Sequence, residues 1–284
     1  MTREPMLSVY RGYGDAGLGE GPGIPITYGE QFLQGTADQL YQREDKLLST
    51  IRPWLTLDSN SEAHGHKQLE AWSCFSAGGR FFVARLVLAG YYDRRVAYFC
   101  HARSWPETLL GQACDPGVSL GCSAMFDEPD GERGGSDSEW ERLPKLPKDR
   151  WVPPVQAERP TAIRFLGHLA QAMAQQEGSY PLLIGVPLRE FTPGSPLFSL
   201  VAFARAALPA GLKPACSIRM YTSQPENFVL RLNARLIVLP EEMVAAALRV
   251  QPKSTLLNRL GECKMGRALA PQYEAYDYEV TDYA

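Results

Sequence analysis

The sequence predicts an α/β or α+β protein with a mixed, largely antiparallel sheet and flanking helices. Two observations carry this prediction. Short runs rich in β-branched and aromatic residues follow one another between residues 69 and 102, and strand-like and helix-like segments alternate after residue 160. With 284 residues, the chain is long enough to bury a substantial core without disulfides or a structural metal.

Composition narrows the classes of function. The formal charge of −3 gives no overall field that would attract nucleic acid or an anionic membrane, so neither is predicted as a partner. No uncharged apolar stretch reaches the roughly 18 residues that a membrane span needs, and the N-terminal segment lacks the apolar core of a secretory signal. The six cysteines are irregularly spaced with no CxxC pair. We therefore expect a cytoplasmic protein with no cofactor.

The first 125 residues are predicted to form an α+β half. An apolar stub over residues 6–14 suits a strand, and the apolar spacing within residues 27–55 suits one or two amphipathic helices that end at Pro53. Three strands in an antiparallel meander follow, at Leu69–Phe75, Arg80–Ala89 and Arg95–Ala102.

Residues 126–160 are rich in proline, glycine and acid, which predicts a long loop or linker. Residues 161–284 are predicted to form an α/β half packed on the first. Its predicted strands cover residues 181–187, 215–222 and 228–240, the last with a bulge or strand end near Ala234. Its predicted helices cover residues 163–178, 195–208 with Ser195 as N-cap, 240–251 and 254–270.

Arginine recurs on the predicted strands, and it concentrates in the stretch RRVAYFCHARSW, residues 94–105. Guanidinium groups on a sheet suit a carboxylate, a phosphate or an acidic protein surface, although they can also pair internally, for example with Glu70. The predicted contact surface is the sheet edge and turn around this stretch, with the acidic linker as a second docking element. The residues of the predicted contact surface are Arg85, Arg94, Arg95, Tyr98, His101, Arg103 and Trp105.

Two chemical alternatives stay open. A hydrolase or transferase would use Cys100 or His101 with help from His168, but neighbours on a strand point to opposite faces. A zinc site would draw on the HxH pair His64 and His66 together with Cys74, because imidazole and thiolate are zinc ligands. Neither the catalytic residues nor the zinc ligands have, close by in the sequence, the further residues that would complete a site. We therefore assign no catalytic or metal-binding residue.

The stretch FFVARLVLAGYYDRRVAYFCHARSW resembles the signature region of the N-terminal domain of bacterial GTPase-associated proteins. Arg94, Tyr98, Phe99 and His101 match that pattern, whereas Val96 and Ala97 replace a glycine and an asparagine. Two shorter segments also match in the same order. Their matching positions are Pro22, Gly23, Ile24, Leu208, Pro209, Leu212, Tyr221 and Thr222. The resemblance implies an adaptor or regulatory component of a bacterial conflict or defence system, with a small GTPase or a defence effector as protein partner.

Overall fold

The computed structural model describes residues 7–13, 27–28, 50–57, 69–92, 95–107, 180–192, 210–258 and 262–263, with single positions between 117 and 208. Within these residues, ten strands form one mixed sheet in the order β10-β9-β6-β8-β7-β3-β4-β5-β1-β2. They are β1 Leu7–Tyr13, β2 Thr27–Tyr28, β3 Glu70–Ala77, β4 Arg80–Tyr92, β5 Arg95–Pro106, β6 Leu182–Val186, β7 Ile218–Met220, β8 Leu236–Pro240, β9 Thr255–Asn258 and β10 Glu262–Cys263.

One side of the sheet is the antiparallel meander that the sequence predicts. Strands β3, β4 and β5 pair in sequence order, and β1 then pairs with β5. A two-residue turn joins β3 to β4, and both of its glycines, Gly78 and Gly79, have positive φ, as a type I′ hairpin turn requires. The strands run two to four residues beyond their predicted ends.

The other side of the sheet is parallel. Strands β7, β8, β6 and β9 run in one direction, which fits the consecutive apolar residues of β6 and β8. Helix α1, Val244–Val250, follows a 3₁₀ turn after β8 and crosses β6. A Cβ at Gly185 of β6 would lie 2.7 Å from Val244 Cγ2, so glycine permits this close approach. The two sides meet where β7 pairs antiparallel with β3.

Two predictions in the second half are wrong. The strand expected over residues 228–240 begins only at Leu236, because Asn227–Arg231 form a π-helix in which the Leu232 N–H donates to the Asn227 carbonyl at 3.1 Å. The apparent slip near Ala234 marks the passage from helix to strand. The helix expected over residues 254–270 is replaced at its start by β9 and β10, because pairing beside β6 overrides the helical spacing of its leucines.

Other predicted helices fall partly within the described positions. The described residues between Leu197 and Arg205 are helical, and the Ser195 hydroxyl accepts a hydrogen bond from the Leu197 N–H at 3.3 Å, as an N-cap does. The helix predicted over residues 240–251 is confirmed as the 3₁₀ turn and α1. Most of the predicted helices over 27–55 and 163–178, and the linker beyond Phe126, lie outside the described residues. Within the described part, no helix is long and apolar enough to cross a membrane.

Candidate functional site

The structure buries the described side chains of the predicted contact surface. Four of them share one face of the sheet, since the register sets His101 opposite Arg85, and Arg103 and Trp105 lie on the same face further along β5. The exposed fraction is 8% or less for each of Arg85, His101, Arg103 and Trp105. Tyr98 is also buried, on the opposite face of β5. Arg94 lies outside the described residues, and only the backbone of Arg95 is described.

Arg85 has an internal partner. Its Nε and Nη2 donate to Glu70 Oε1 at 2.9 and 2.6 Å, and Glu70 Oε2 accepts from Trp72 Nε1 at 3.1 Å. All three side chains are almost completely buried. The carboxylate is thus shared between a guanidinium and an indole, which is the kind of pairing that lets a charged pair exist inside a core.

The helix after Ser195 packs near this same face of the sheet. Its Phe198 ring lies 6.2 Å from the Trp72 ring, and the guanidinium of Arg205 stacks over the Phe81 ring at 4.2 Å. The Phe126 ring contacts His101 edge-on at 5.6 Å. This face of β4 and β5, with the buried Arg85 and Arg103, is therefore packed inside the chain.

The residues of the catalytic and metal alternatives are not brought together among the described positions. Cys100 pairs with Leu86 and His101 with Arg85, so the two side chains lie on opposite faces of β5, both fully buried. Cys74 is buried in β3. His64, His66 and His168 lie outside the described residues, within which no group of three potential metal ligands is found.

A fully buried arginine, Arg219 of β7, organises a different part of the molecule. It donates to the carbonyls of Trp54 and Thr56, at 3.0 and 2.9 Å, in the segment that holds the 3₁₀ turn Arg52–Leu55. Its guanidinium also lies 4.7 Å from the centre of the Phe228 ring on the π-helix. One side chain therefore connects the 3₁₀ turn to the π-helix, two segments more than 160 residues apart in sequence.

The chain turns sharply between β7 and the π-helix. Tyr221 has φ of 65°, a left-handed conformation that is rare for a bulky residue and is held by its surroundings. Its N–H donates to the Val238 carbonyl at 2.8 Å, and its own carbonyl accepts from Arg219 Nε at 2.8 Å. Its ring packs edge-on against Phe191 at 5.3 Å. These contacts direct the chain after β7 toward the 3₁₀ turn.

A cleft of about 270 Å³ opens between the 3₁₀ turn and the π-helix. We call it the Arg52–Arg231 cleft. Its lining residues are Arg52, Pro53, Thr56, Gln224, Asn227, Phe228, Arg231 and Leu232. The Asn227 amide donates to Gln224 Oε1 at 2.8 Å, which orders the polar wall. Both arginines are exposed, and none of the described lining residues is acidic, so the described walls of the cleft carry positive charge.

The sequence contains a signal for a helix at the wall of this cleft, and the strand predicted over residues 228–240 did not take it into account. Pro225 followed by Glu226 is typical of a helix start, and the adjacent buried residues Phe228 and Val229 do not fit the alternation of a half-buried strand. A helix predicted for residues 227–231 would have placed Arg231 outside the sheet. No local signal pairs Arg231 with Arg52, because the contact between their segments depends on the buried Arg219.

The fold and the cleft define an α/β or α+β protein with a continuous mixed sheet and a cationic cleft at one junction of its segments. No protein-family model, no curated protein and no solved structure matches this chain.

Proposed function

We propose that this chain is a cytoplasmic adaptor or regulatory component of a bacterial GTPase-associated conflict or defence system, and that it acts by binding another protein. The resemblance of the β4–β5 stretch to the N-terminal domain of GTPase-associated proteins supports the class of system. Since the described arginines of that stretch are buried, the proposed contact surface is moved to the π-helix.

The observation that carries the proposal is the exposure of Leu230. It is 65% exposed and is the one large hydrophobic side chain among the described residues that is so open to solvent. A lone exposed leucine is common on proteins. Leu230 is more informative than a lone exposed leucine because it lies on a π-helix, a backbone form often found at functional sites. In the sequence it lies between the exposed charged residues Glu226 and Arg231.

The π-helix can present Leu230 in a defined position because the opposite side of the helix is packed. Phe228 is buried against the Trp54 ring, at 5.6 Å, and under the guanidinium of Arg219. An apolar side chain on a preorganised support loses little conformational entropy when a partner covers it. An exposed leucine with exposed charged residues in the same short segment, Glu226 and Arg231, also fits the apolar centre and polar rim of a protein interface.

The test is a binding measurement with a purified partner. The small GTPase or defence effector encoded beside this gene in its host would be titrated with the chain by calorimetry. Leu230→Ser is expected to weaken binding about tenfold, since burying a leucine is worth roughly 1.5 kcal/mol or more. The matched control is Ala245→Ser on the exposed side of α1, which should leave the affinity unchanged.

Three results would count against the proposal. The first is a gene neighbourhood without any GTPase or effector, which would contradict the assignment to this class of system. The second is a neighbour that does not bind the folded chain. The third is equal affinity for wild type and Leu230→Ser, which would reject the π-helix as the contact surface.

A further inference from the structure

The Arg52–Arg231 cleft has the charge of an anion site. Arg52 and Arg231 are both exposed, and neither guanidinium has an ion-pair or hydrogen-bond partner in the described part of the chain. A guanidinium offers five N–H donors in a planar fork that matches the oxygens of phosphates and carboxylates. Two such groups on one cleft, with no acidic residue among the described residues that line it, favour an anionic ligand.

The walls of the cleft add an apolar component. Pro53 lies on the wall formed by the 3₁₀ turn, and Phe228 and Leu232 lie on the opposite wall, while Asn227 and Thr56 supply neutral polar groups. The volume of about 270 Å³ is close to the lower end of ordinary ligand pockets, about 300 Å³. This size suits a small organic molecule better than a bare ion.

The two walls are also fixed in relation to each other. Arg219 hydrogen-bonds the carbonyls of Trp54 and Thr56 on one wall and stacks on Phe228 of the other. Ser73 of β3 donates to the same Trp54 carbonyl at 3.0 Å and so ties the 3₁₀ turn to the sheet. A cleft with rigid walls pays less ordering entropy when a ligand enters.

We propose that the Arg52–Arg231 cleft binds a small organic oxyanion, a phosphate or carboxylate group attached to a compact apolar body. The oxyanion lies between the two guanidinium groups, and the apolar body contacts Pro53, Phe228 and Leu232. This ligand site adjoins the protein contact proposed above: Leu230 does not line the cleft, but its neighbour Arg231 does.

The test uses four probes at constant ionic strength, with binding followed by calorimetry. Phenyl phosphate and benzoate carry the two oxyanions on one apolar body, inorganic phosphate lacks the apolar body, and benzyl alcohol lacks the charge. At least one of the first two is expected to bind several times more tightly than inorganic phosphate. Their ratio distinguishes a phosphate site from a carboxylate site. Benzyl alcohol is expected to show no saturable binding.

Variants locate the binding. Arg52→Gln and Arg231→Gln are each expected to weaken the preferred probe about tenfold, as removal of a charge-assisted hydrogen bond does. Arg231→Lys keeps the charge but loses the fork, so it should weaken binding less than Arg231→Gln. Arg249→Gln, an exposed arginine of α1 outside the cleft, is the matched control and should bind like the wild type.

The results separate this inference from the proposed function. Leu230→Ser should bind the probes normally even if it loses the protein partner, so failure of the protein contact can be distinguished from failure of the oxyanion site. The inference is overturned if neither phenyl phosphate nor benzoate binds the folded wild type more tightly than inorganic phosphate does. It is equally overturned if the Arg52→Gln and Arg231→Gln variants bind the preferred probe as tightly as the Arg249→Gln control.

Discussion

Arg219 shows how one buried side chain can determine the geometry of a distant surface. Its donors reach the carbonyls of Trp54, Thr56 and Tyr221 and the Ser73 hydroxyl, all between 2.8 and 3.0 Å. Removing Arg219 takes a donor from the Thr56 and Tyr221 carbonyls, whereas the Trp54 carbonyl keeps the Ser73 hydroxyl, and each buried polar group left unsatisfied costs about 1–3 kcal/mol. The residue is therefore important for stability and for the shape of the Arg52–Arg231 cleft.

Arg219→Met is expected to lower the free energy of unfolding by about 3 kcal/mol or more, measured by urea denaturation, because three carbonyls lose a donor.

Arg235→Met is the matched control. Its Nη1 is buried with no hydrogen-bond partner among the described residues, and burial lowers the pKa of Arg235, an effect that the nearby Cys216 opposes. A lowered pKa means that burial disfavours the charged form, so the charge of Arg235 does not stabilise the folded state at neutral pH. Arg235→Met should therefore keep or raise the midpoint, and a loss equal to that of Arg219→Met would contradict this account.

The Glu70–Arg85 pair gives a second test at the scale of single residues. Glu70→Gln removes the carboxylate that both Arg85 and Trp72 use, and it leaves a buried guanidinium without its charge partner. Breaking such a pair from one side costs about 3–5 kcal/mol. Glu242→Gln, on an exposed position of the 3₁₀ turn before α1, should change stability by less than about 0.5 kcal/mol. Similar urea midpoints for the two variants would show that the pair is not important for folding.

At the scale of elements, the contact between β6 and α1 depends on a missing side chain. A Cβ at Gly185 would lie 2.7 Å from Val244 Cγ2 and 3.7 Å from Glu241 Cα, so α1 can approach β6 only because position 185 is glycine. Gly185→Ala should destabilise the protein by about 1–3 kcal/mol through overpacking. Adding Val244→Ala removes the clashing methyl group, so the double variant should lose less stability than the sum of the two single variants. Additive losses would contradict the close contact.

Sequence patterns predicted the strands whose apolar residues recur at regular spacing or form a continuous run. They missed the elements whose conformation depends on contacts with segments distant in sequence. The strands β4 and β6 were predictable because their apolar residues follow strand periodicity or form a short continuous run. The strand β9 was missed because its Thr-Leu-Leu sequence also suits a helix, and only pairing with β6 decides between them. The π-helix was missed because its residues alternate partly like a strand. Because the π-helix forms one wall of the Arg52–Arg231 cleft, the cleft could not be predicted either.

At the scale of the whole molecule, the sheet runs without a break from the antiparallel meander to the parallel strands. The link is the β3–β7 pairing, which sets Trp72 opposite Met220 and Ser73 opposite Arg219. The segments predicted as two halves thus share a hydrogen-bonded sheet, and Arg219 adds side-chain contacts across the same junction. The linker predicted over residues 126–160 stays a prediction, since only Phe126 of it is described.

This continuity predicts that the two sides of the sheet unfold together. All five tryptophans precede residue 152, and the three described ones, Trp54, Trp72 and Trp105, are buried, so tryptophan fluorescence reports on the first half of the chain. Gly185→Ala lies in the parallel side, which contains no tryptophan. If the sheet unfolds as one cooperative unit, this substitution lowers the urea midpoint equally by fluorescence and by far-ultraviolet circular dichroism. An unchanged fluorescence midpoint beside an earlier dichroism transition would show instead that the parallel side unfolds on its own, and that the β3–β7 junction does not couple the two halves.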